Sequence, residues 1–216
     1  MQEIQSIFKN RQTIYQILAV LYQKEVDEKL LGFLKGISFP EGEDKLGMTG
    51  RALNEEIQDL TPRDLDDLAA DYARTFLSAG VADEPAAFPI ESVYTSREKL
   101  IMQDAYESVL LILKKYGLAP SRKDLYPDHL GVELEFMAFL CKKTIEALDE
   151  GNFDTADKML EEQKEFLQRH LLNWTGKFFD DQMNVASTRF YLSLAAFAEA
   201  FLFEERDFLI DGFLNV

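Results

Sequence analysis

Along most of this chain the apolar residues return at steps of three and four, the period of an α-helix, and no segment alternates as a half-buried strand requires. The N-terminal stretch sets the pattern: Ile4, Ile7, Phe8, Ile14, Tyr15, Leu18, Leu21 and Tyr22, with Arg11 among them, put nearly all its apolar side chains on one stripe. Helices striped in this way and unaccompanied by strands bury their apolar faces against one another. The expected fold is all-α: a single bundle-like domain over residues 1–216, of about eight to ten helices joined by mostly short loops.

Stop and start signals divide the pattern. A second helix is expected from Val26 to Ile37, followed by a loop from Ser38 to Gly50 rich in breakers. Thr61-Pro62-Arg63-Asp64 supplies an N-cap, a first-turn proline and an acidic third residue ahead of Leu65, Leu68, Ala69, Tyr72 and Phe76, a helix expected to stop near Gly80. Val81 to Tyr94, with Pro85 and Pro89, reads as irregular, and a helix from Ser96 to Tyr116 follows, ended by Gly117. The polar, proline-containing connection 118–127 is the natural hinge. Further helices are expected from Asp128 to Leu148, from an Asp154 cap to Leu171 or Leu172, from Thr175 to Gln182, and from Val185 to Phe203.

Composition removes several functions. Thirty-nine acidic against 23 basic residues give a formal charge of −16, which repels phosphate backbones and anionic lipid, so nucleic acid is not an expected partner. No apolar run approaches the roughly 20 residues of a membrane span, and Met1 to Ser6 lacks the basic start of a secretory signal, so a cytoplasmic location is expected. The single cysteine, Cys141, sits among Phe139, Leu140 and Ile145 and reads as a buried thiol.

One short segment concentrates polar chemistry. In Tyr126-Pro127-Asp128-His129-Leu130-Gly131-Val132-Glu133 the proline disfavours helix at Tyr126, and Asp128 is placed to cap the helix that follows. His129 and Glu133 then share a face, with Leu130 on the neighbouring one. A histidine beside two carboxylates invites an acid–base or metal reading, but zinc needs about three or four ligands. The other histidine, His170, is expected in a different helix. A Gly-x-Ser-x-Gly elbow and a phosphate-binding P-loop are both missing from the sequence, so no catalytic residue, cofactor or metal is expected. The bland alternative has Asp128 capping the helix and His129 pairing with Glu133 across one turn. Likewise Tyr72, Phe76, Ile90 and Tyr94 fit core packing and groove lining equally well, with Ile90 and Tyr94 expected to be partly exposed. Glu91 reads as a solvated loop charge or as a contact for a ligand arginine.

Three segments in order carry a family resemblance: Asp71-Tyr72-Ala73-Arg74-Thr75-Phe76-Leu77, Phe88-Pro89-Ile90-Glu91-Ser92-Val93-Tyr94, and Tyr126-Pro127-Asp128-His129-Leu130-Gly131-Val132-Glu133-Leu134-Glu135-Phe136-Met137. Together they resemble the blocks of the TorD/DmsD family, cytoplasmic chaperones for molybdenum-containing reductases exported by the twin-arginine route. Thr75 stands where that family usually has Leu, and Ile90 where several members carry Trp. The resemblance implies a non-enzymatic chaperone that holds a reductase subunit, through its twin-arginine signal peptide, until the cofactor is inserted. Its expected peptide-binding residues are Tyr72, Phe76, Ile90, Glu91, Ser92, Tyr94, Tyr126, Asp128, His129, Leu130 and Glu133. Apolar burial supplies affinity, and carboxylates among Glu91, Asp128 and Glu133 select the arginine pair. The alternative is an assembly factor of the NarJ kind, recognising a folded subunit without capturing its leader. The client, a guanine nucleotide ligand of the kind suggested for some family members, and monomer versus homodimer are left open by these residues.

Overall fold

Local caps decide where this chain becomes helical. In the computed structural model, which describes residues 2–77 and 86–212, the Asp27 carboxylate accepts from the Leu30 N–H at 2.7 Å and Asp44 accepts from Gly47 at 2.6 Å. Thr61 and Asp64 form the reciprocal capping box that their spacing promises. Among the described residues the α-helices are α1 (Gln2–Gln23), α2 (Glu28–Leu34), α3 (Lys45–Asp59), α4 (Leu65–Leu77), α5 (Glu91–Thr95), α6 (Asp104–Lys115), α7 (Leu130–Asp149), α8 (Phe153–Phe166), α9 (Thr175–Val185) and α10 (Arg189–Arg206). Extended pairing is limited, among the described residues, to an isolated antiparallel bridge between Ile90 and His129. The all-α expectation holds.

Several expected boundaries move, each for a local reason. Helix α3 claims Lys45–Gly50 from the expected loop because Asp44 caps it. Glu91–Thr95 is a short helix instead of irregular chain, and the helix expected from Ser96 begins only at Asp104. Between them Lys99 (φ 53°) and Met102 (φ 59°) adopt the left-handed conformation, which an α-helix does not accommodate. Helix α8 takes Asn152 as its cap in place of Asp154, through a 3.1 Å bond from the Thr155 N–H. The expected stop near Gly80, and residues 81–85 of the stretch after it, lie outside the described residues.

By contacts the chain divides into two compact units. One comprises residues 1–23, 89–174 and 206–216, the other residues 24–88 and 175–205. The 118–127 connection falls inside the first unit, where the Arg122 guanidinium donates to the Gln23 carbonyl at 2.7 Å.

In the first unit α7 packs on α1 and α8. Gly131 allows the close approach of α1, since a Cβ there would meet the Gln23 side chain and lie 2.9 Å from the Ala19 carbonyl oxygen. Gln163 ties three helices internally, accepting from Arg11 at 2.8 Å and donating to Thr144 at 2.8 Å. Cys141 is fully buried beside it, as the sequence suggests. Gly117 (φ 68°) ends α6 in a Schellman motif, with Leu118 N–H donating to Leu113 at 2.9 Å and Gly117 N–H to Lys114 at 3.0 Å.

In the second unit Tyr72, Phe76, Phe178 and Tyr191 form an aromatic cluster, with Phe76 centred 5.6 Å from Tyr191 and 6.2 Å from Phe178. Asp71 holds the start of α10. Its carboxylate accepts from Ser187 N–H at 3.1 Å, Thr188 N–H at 2.7 Å and the Thr188 hydroxyl at 2.6 Å, and it pairs with Arg74.

Candidate functional site

The segment from Pro89 to Tyr94 and the segment from Tyr126 to Glu133 cross each other in the first unit. Glu91 N–H donates to the Asp128 carbonyl at 2.9 Å and Leu130 N–H donates to the Pro89 carbonyl at 2.8 Å, which sets Ile90 opposite His129. Asp128 closes the crossing with its side chain: Oδ2 accepts from the Ser92 N–H at 3.1 Å and from the Ser92 hydroxyl at 2.5 Å. The same hydroxyl accepts from Gln103 N–H at 3.2 Å. Asp128 is therefore not the cap of α7. His129 is, through Nδ1, which accepts from the Gly131 N–H at 3.0 Å. Nor does His129 pair with Glu133, whose Oε2 accepts from the Trp174 indole N–H at 3.3 Å.

Glu91, the first residue of α5, is neither solvated nor on a loop. It is 2 % exposed, and it bonds His170 Nδ1 at 2.9 Å and accepts from Asn173 Nδ2 at 2.8 Å. On the far edge of the ring, His170 Nε2 lies 3.2 Å from the Ser108 hydroxyl. Sequence reasoning missed His170, Asn173, Trp174 and Ser108. The signal available was the spacing His170, Asn173, Trp174, at i, i+3 and i+4 on one helical face. A π-helical turn over Leu167–Leu171, with Leu172 N–H reaching the Leu167 carbonyl at 2.9 Å, sets the direction in which that face points.

The electrostatics follow from burial. Desolvation, then the nearby Glu91 and Asp128 carboxylates, push the Glu133 carboxyl well above its usual range, so it keeps its proton where an exposed glutamate has lost it. Asp128 is raised as well, by burial first and against the hydrogen bonds from Ser92. His129 is held down to about 4 by burial, with the Arg122 charge adding to it, and is neutral at physiological pH. One oxygen each of Asp128 (Oδ1) and Glu133 (Oε1) is buried without a hydrogen-bond partner.

Of the expected contact residues, the crossing brings together Ile90, Glu91, Ser92, Asp128, His129, Leu130 and Glu133, all of them interior. Ile90, expected to be partly exposed, is buried at 9 % because its backbone lies against His129. Tyr94, its ring tilted by 32° and centred 5.4 Å from Trp174, and Tyr126, 6.1 Å from Tyr106, are half-buried. Tyr72 and Phe76 belong to the core of the second unit. A cavity of about 480 Å3 opens to solvent in the first unit, walled by Glu91, Arg97, Gln103, Asp104, Ser108 and His170 among others. The turn between Ser96 and Gln103 borders it and exposes Leu100, Ile101 and Met102.

The relatives of this chain bear chaperone names. It is 29% identical over 212 residues to the protein named chaperone protein TorD of Vibrio parahaemolyticus, covering 93% of this chain and 95% of that one. It is 28% identical to the protein of the same name in Shewanella pealeana, over 96% and 93% of the two chains. The Vibrio cholerae El Tor protein of that name is also 28% identical, over 99% and 98%. A family profile described as nitrate reductase delta subunit matches residues 40–180, and the chain belongs to that family. The resemblance drawn from the three motif blocks holds, and these are names of chaperones, not enzymes.

Proposed function

We propose that this chain is a cytoplasmic chaperone that binds the twin-arginine signal peptide, and with it the cofactor-free form, of a molybdenum-containing reductase subunit, holding it until cofactor insertion and export. The observation that carries the reading is the pairing, in the first unit, of a polar cavity, with the exposed Asp104 on its wall, and an exposed apolar turn. Leu100, Ile101 and Met102 are 50 %, 41 % and 53 % exposed, an unusual run of three apolar side chains beside a polar hollow. The apolar stretch of a leader buries against them, while the exposed carboxylate of Asp104 on the cavity wall receives a guanidinium. A planar forked cation engages a carboxylate through two parallel hydrogen bonds, which a lysine does not. Tyr94 and Tyr126 are the remaining accessible candidates among the expected contacts. Ile90, Ser92, Asp128, His129, Leu130 and Glu133 shape the wall from behind, Glu91 is held by His170 and Asn173, and Tyr72 and Phe76 belong to the core of the second unit.

Calorimetric titration of the purified chain with twin-arginine leaders of molybdenum-containing reductases tests this. Saturable binding is expected, weaker for leaders with the arginine pair changed to lysines, and weaker again for Leu100→Ser with Ile101→Ser and for Asp104→Asn. These three residues are on the surface, so folding is preserved. Absence of binding by every leader overturns the reading. The family description, nitrate reductase delta subunit, favours a second one, a NarJ-like assembly factor that captures a cofactor-free subunit from which the leader has been deleted.

A further inference from the structure

Two glutamates and a histidine carried by three different segments, α5, α7 and the π-helical turn after α8, converge inside the first unit. One possible donor atom each of Glu91, Glu133 and His170 lies within 4.8 Å of the other two, and all three residues are buried. Their hydrogen-bonding partners are one another, Asn173, Trp174 and Ser108, none of them a lysine or arginine. Glu133 Oε1 is buried in the cluster and accepts no hydrogen bond.

We propose that Glu91, Glu133 and His170 form a binding site for a divalent cation of the zinc class. Two carboxylates and an imidazole are the oxygen and nitrogen donors such ions take. Bonds of about 2.0–2.2 Å put tetrahedral donors about 3.5 Å apart, so the cluster closes on an ion by about 1 Å at its widest. The ion takes the position now bridged by the Nδ1 to Glu91 hydrogen bond, and the unpartnered Glu133 oxygen becomes the third ligand. A doubly charged ion would displace the proton from Glu133 and balance the two carboxylates it binds.

Orientation and access are both provided. Asn173 holds the other Glu91 oxygen at 2.8 Å, Trp174 holds Glu133 Oε2 at 3.3 Å, and Ser108 lies 3.2 Å from His170 Nε2, which fixes the ring with Nδ1 inward. Glu91 and His170 also wall the 480 Å3 cavity, so an ion enters from solvent and keeps a fourth position for water. The motif segment alone, His129 with Asp128 and Glu133, makes no such site, because His129 spends Nδ1 on the Gly131 N–H.

The test uses the full chain, stripped with a chelator and titrated with Zn2+ and Co2+ by calorimetry, with the visible spectrum of the Co2+ form as a second readout. One equivalent per chain and an intense four-coordinate Co2+ spectrum are expected. Glu133→Gln and His170→Gln should each weaken binding more than about 100-fold, and Ser108→Ala about 10- to 100-fold. Glu55→Gln, exposed in the second unit, should leave it unchanged. If His170→Gln fails to fold, Glu133→Gln and the wild-type Co2+ spectrum still decide. Absence of saturable binding, or binding untouched by Glu133→Gln, overturns the proposal.

Discussion

The cap of α7 makes acid stability the sharpest quantitative consequence of this structure. His129 accepts the Gly131 N–H at Nδ1, and a protonated imidazole has no acceptor to offer. It is 6 % exposed, so burial, followed by the Arg122 charge and opposed by Asp124, lowers its value from 6.5 to about 4. The sign follows: a depressed value means that the folded state refuses a proton the unfolded chain accepts. The stability is whole above pH 6.5 and is lost as pH falls toward 4. At about 1.36 kcal/mol per pH unit, the loss amounts to about 3 kcal/mol across that window.

The buried carboxyls of Asp128 and Glu133 are shifted as well, so the measurement is a difference. Asn at 129 keeps a side-chain oxygen able to cap the helix and cannot titrate. Its smaller volume adds a cost that does not change with pH. Urea denaturation of wild type and His129→Asn should show the wild-type advantage shrinking by about 3 kcal/mol between about pH 7.5 and about pH 4. The chain has two histidines, so an NMR titration assigned by the variant reads His129 directly. An unchanging stability difference, or an imidazole titrating near its ordinary value, refutes the argument.

Glu133 runs the opposite way. Its raised value gives stability that is full below 4.5 and lost as pH rises through the folded value. In metal-free protein Glu133→Gln should therefore gain over wild type at alkaline pH, by at most about 1.4 kcal/mol per pH unit, read by urea denaturation at several pH values. Gly131→Ala should cost about 1–3 kcal/mol because its Cβ meets the Ala19 carbonyl and the Gln23 side chain. Gly32→Ala, exposed with nothing within 4 Å, should be neutral or stabilising by up to about 1 kcal/mol. Thermal melts distinguish the two. Asp71→Ala should cost about 1.5–3 kcal/mol by orphaning the N–H groups of Ser187 and Thr188. Arg74→Ala, whose side chain is 40% exposed, should cost under about 1 kcal/mol. Equal losses would mean that Asp71 acts as an ion-pair partner and not as a cap.

Periodicity made the fold class readable because burial of an apolar stripe is a property of the helix itself. Caps were less legible, because the residue that caps depends on what its neighbours already hold. Asp128 is the better cap by residue type, yet Ser92 and the Glu91 N–H claim it across the crossing, and His129 takes the cap position. The turn between Ser96 and Gln103 was hidden for a different reason. Its left-handed residues are Lys99 and Met102, not the glycines or asparagines that advertise such a conformation. The Glu91, Glu133, His170 cluster lay beyond reach, since its members are up to 79 residues apart in the Glu91 to His170 bond and only tertiary packing brings them together.

The polar anchors of the motif blocks are interior. Asp71, Ser92 and Asp128 are 3 %, 0 % and 0 % exposed, and each bonds this chain's own backbone or side chains. Buried residues of this kind fix how a chain folds, and a partner cannot touch them without displacing bonds already made. A resemblance carried by such blocks therefore transfers the scaffold more firmly than the client. Discrimination between clients requires groups that a client can reach. In the first unit Leu100, Ile101, Met102 and Asp104 are such groups, and all four lie outside the three blocks. Exchanging residues 100–104 with those of a relative should alter which leader binds while leaving the thermal melt nearly unchanged. The converse exchange of residues 126–133 should alter the melt first.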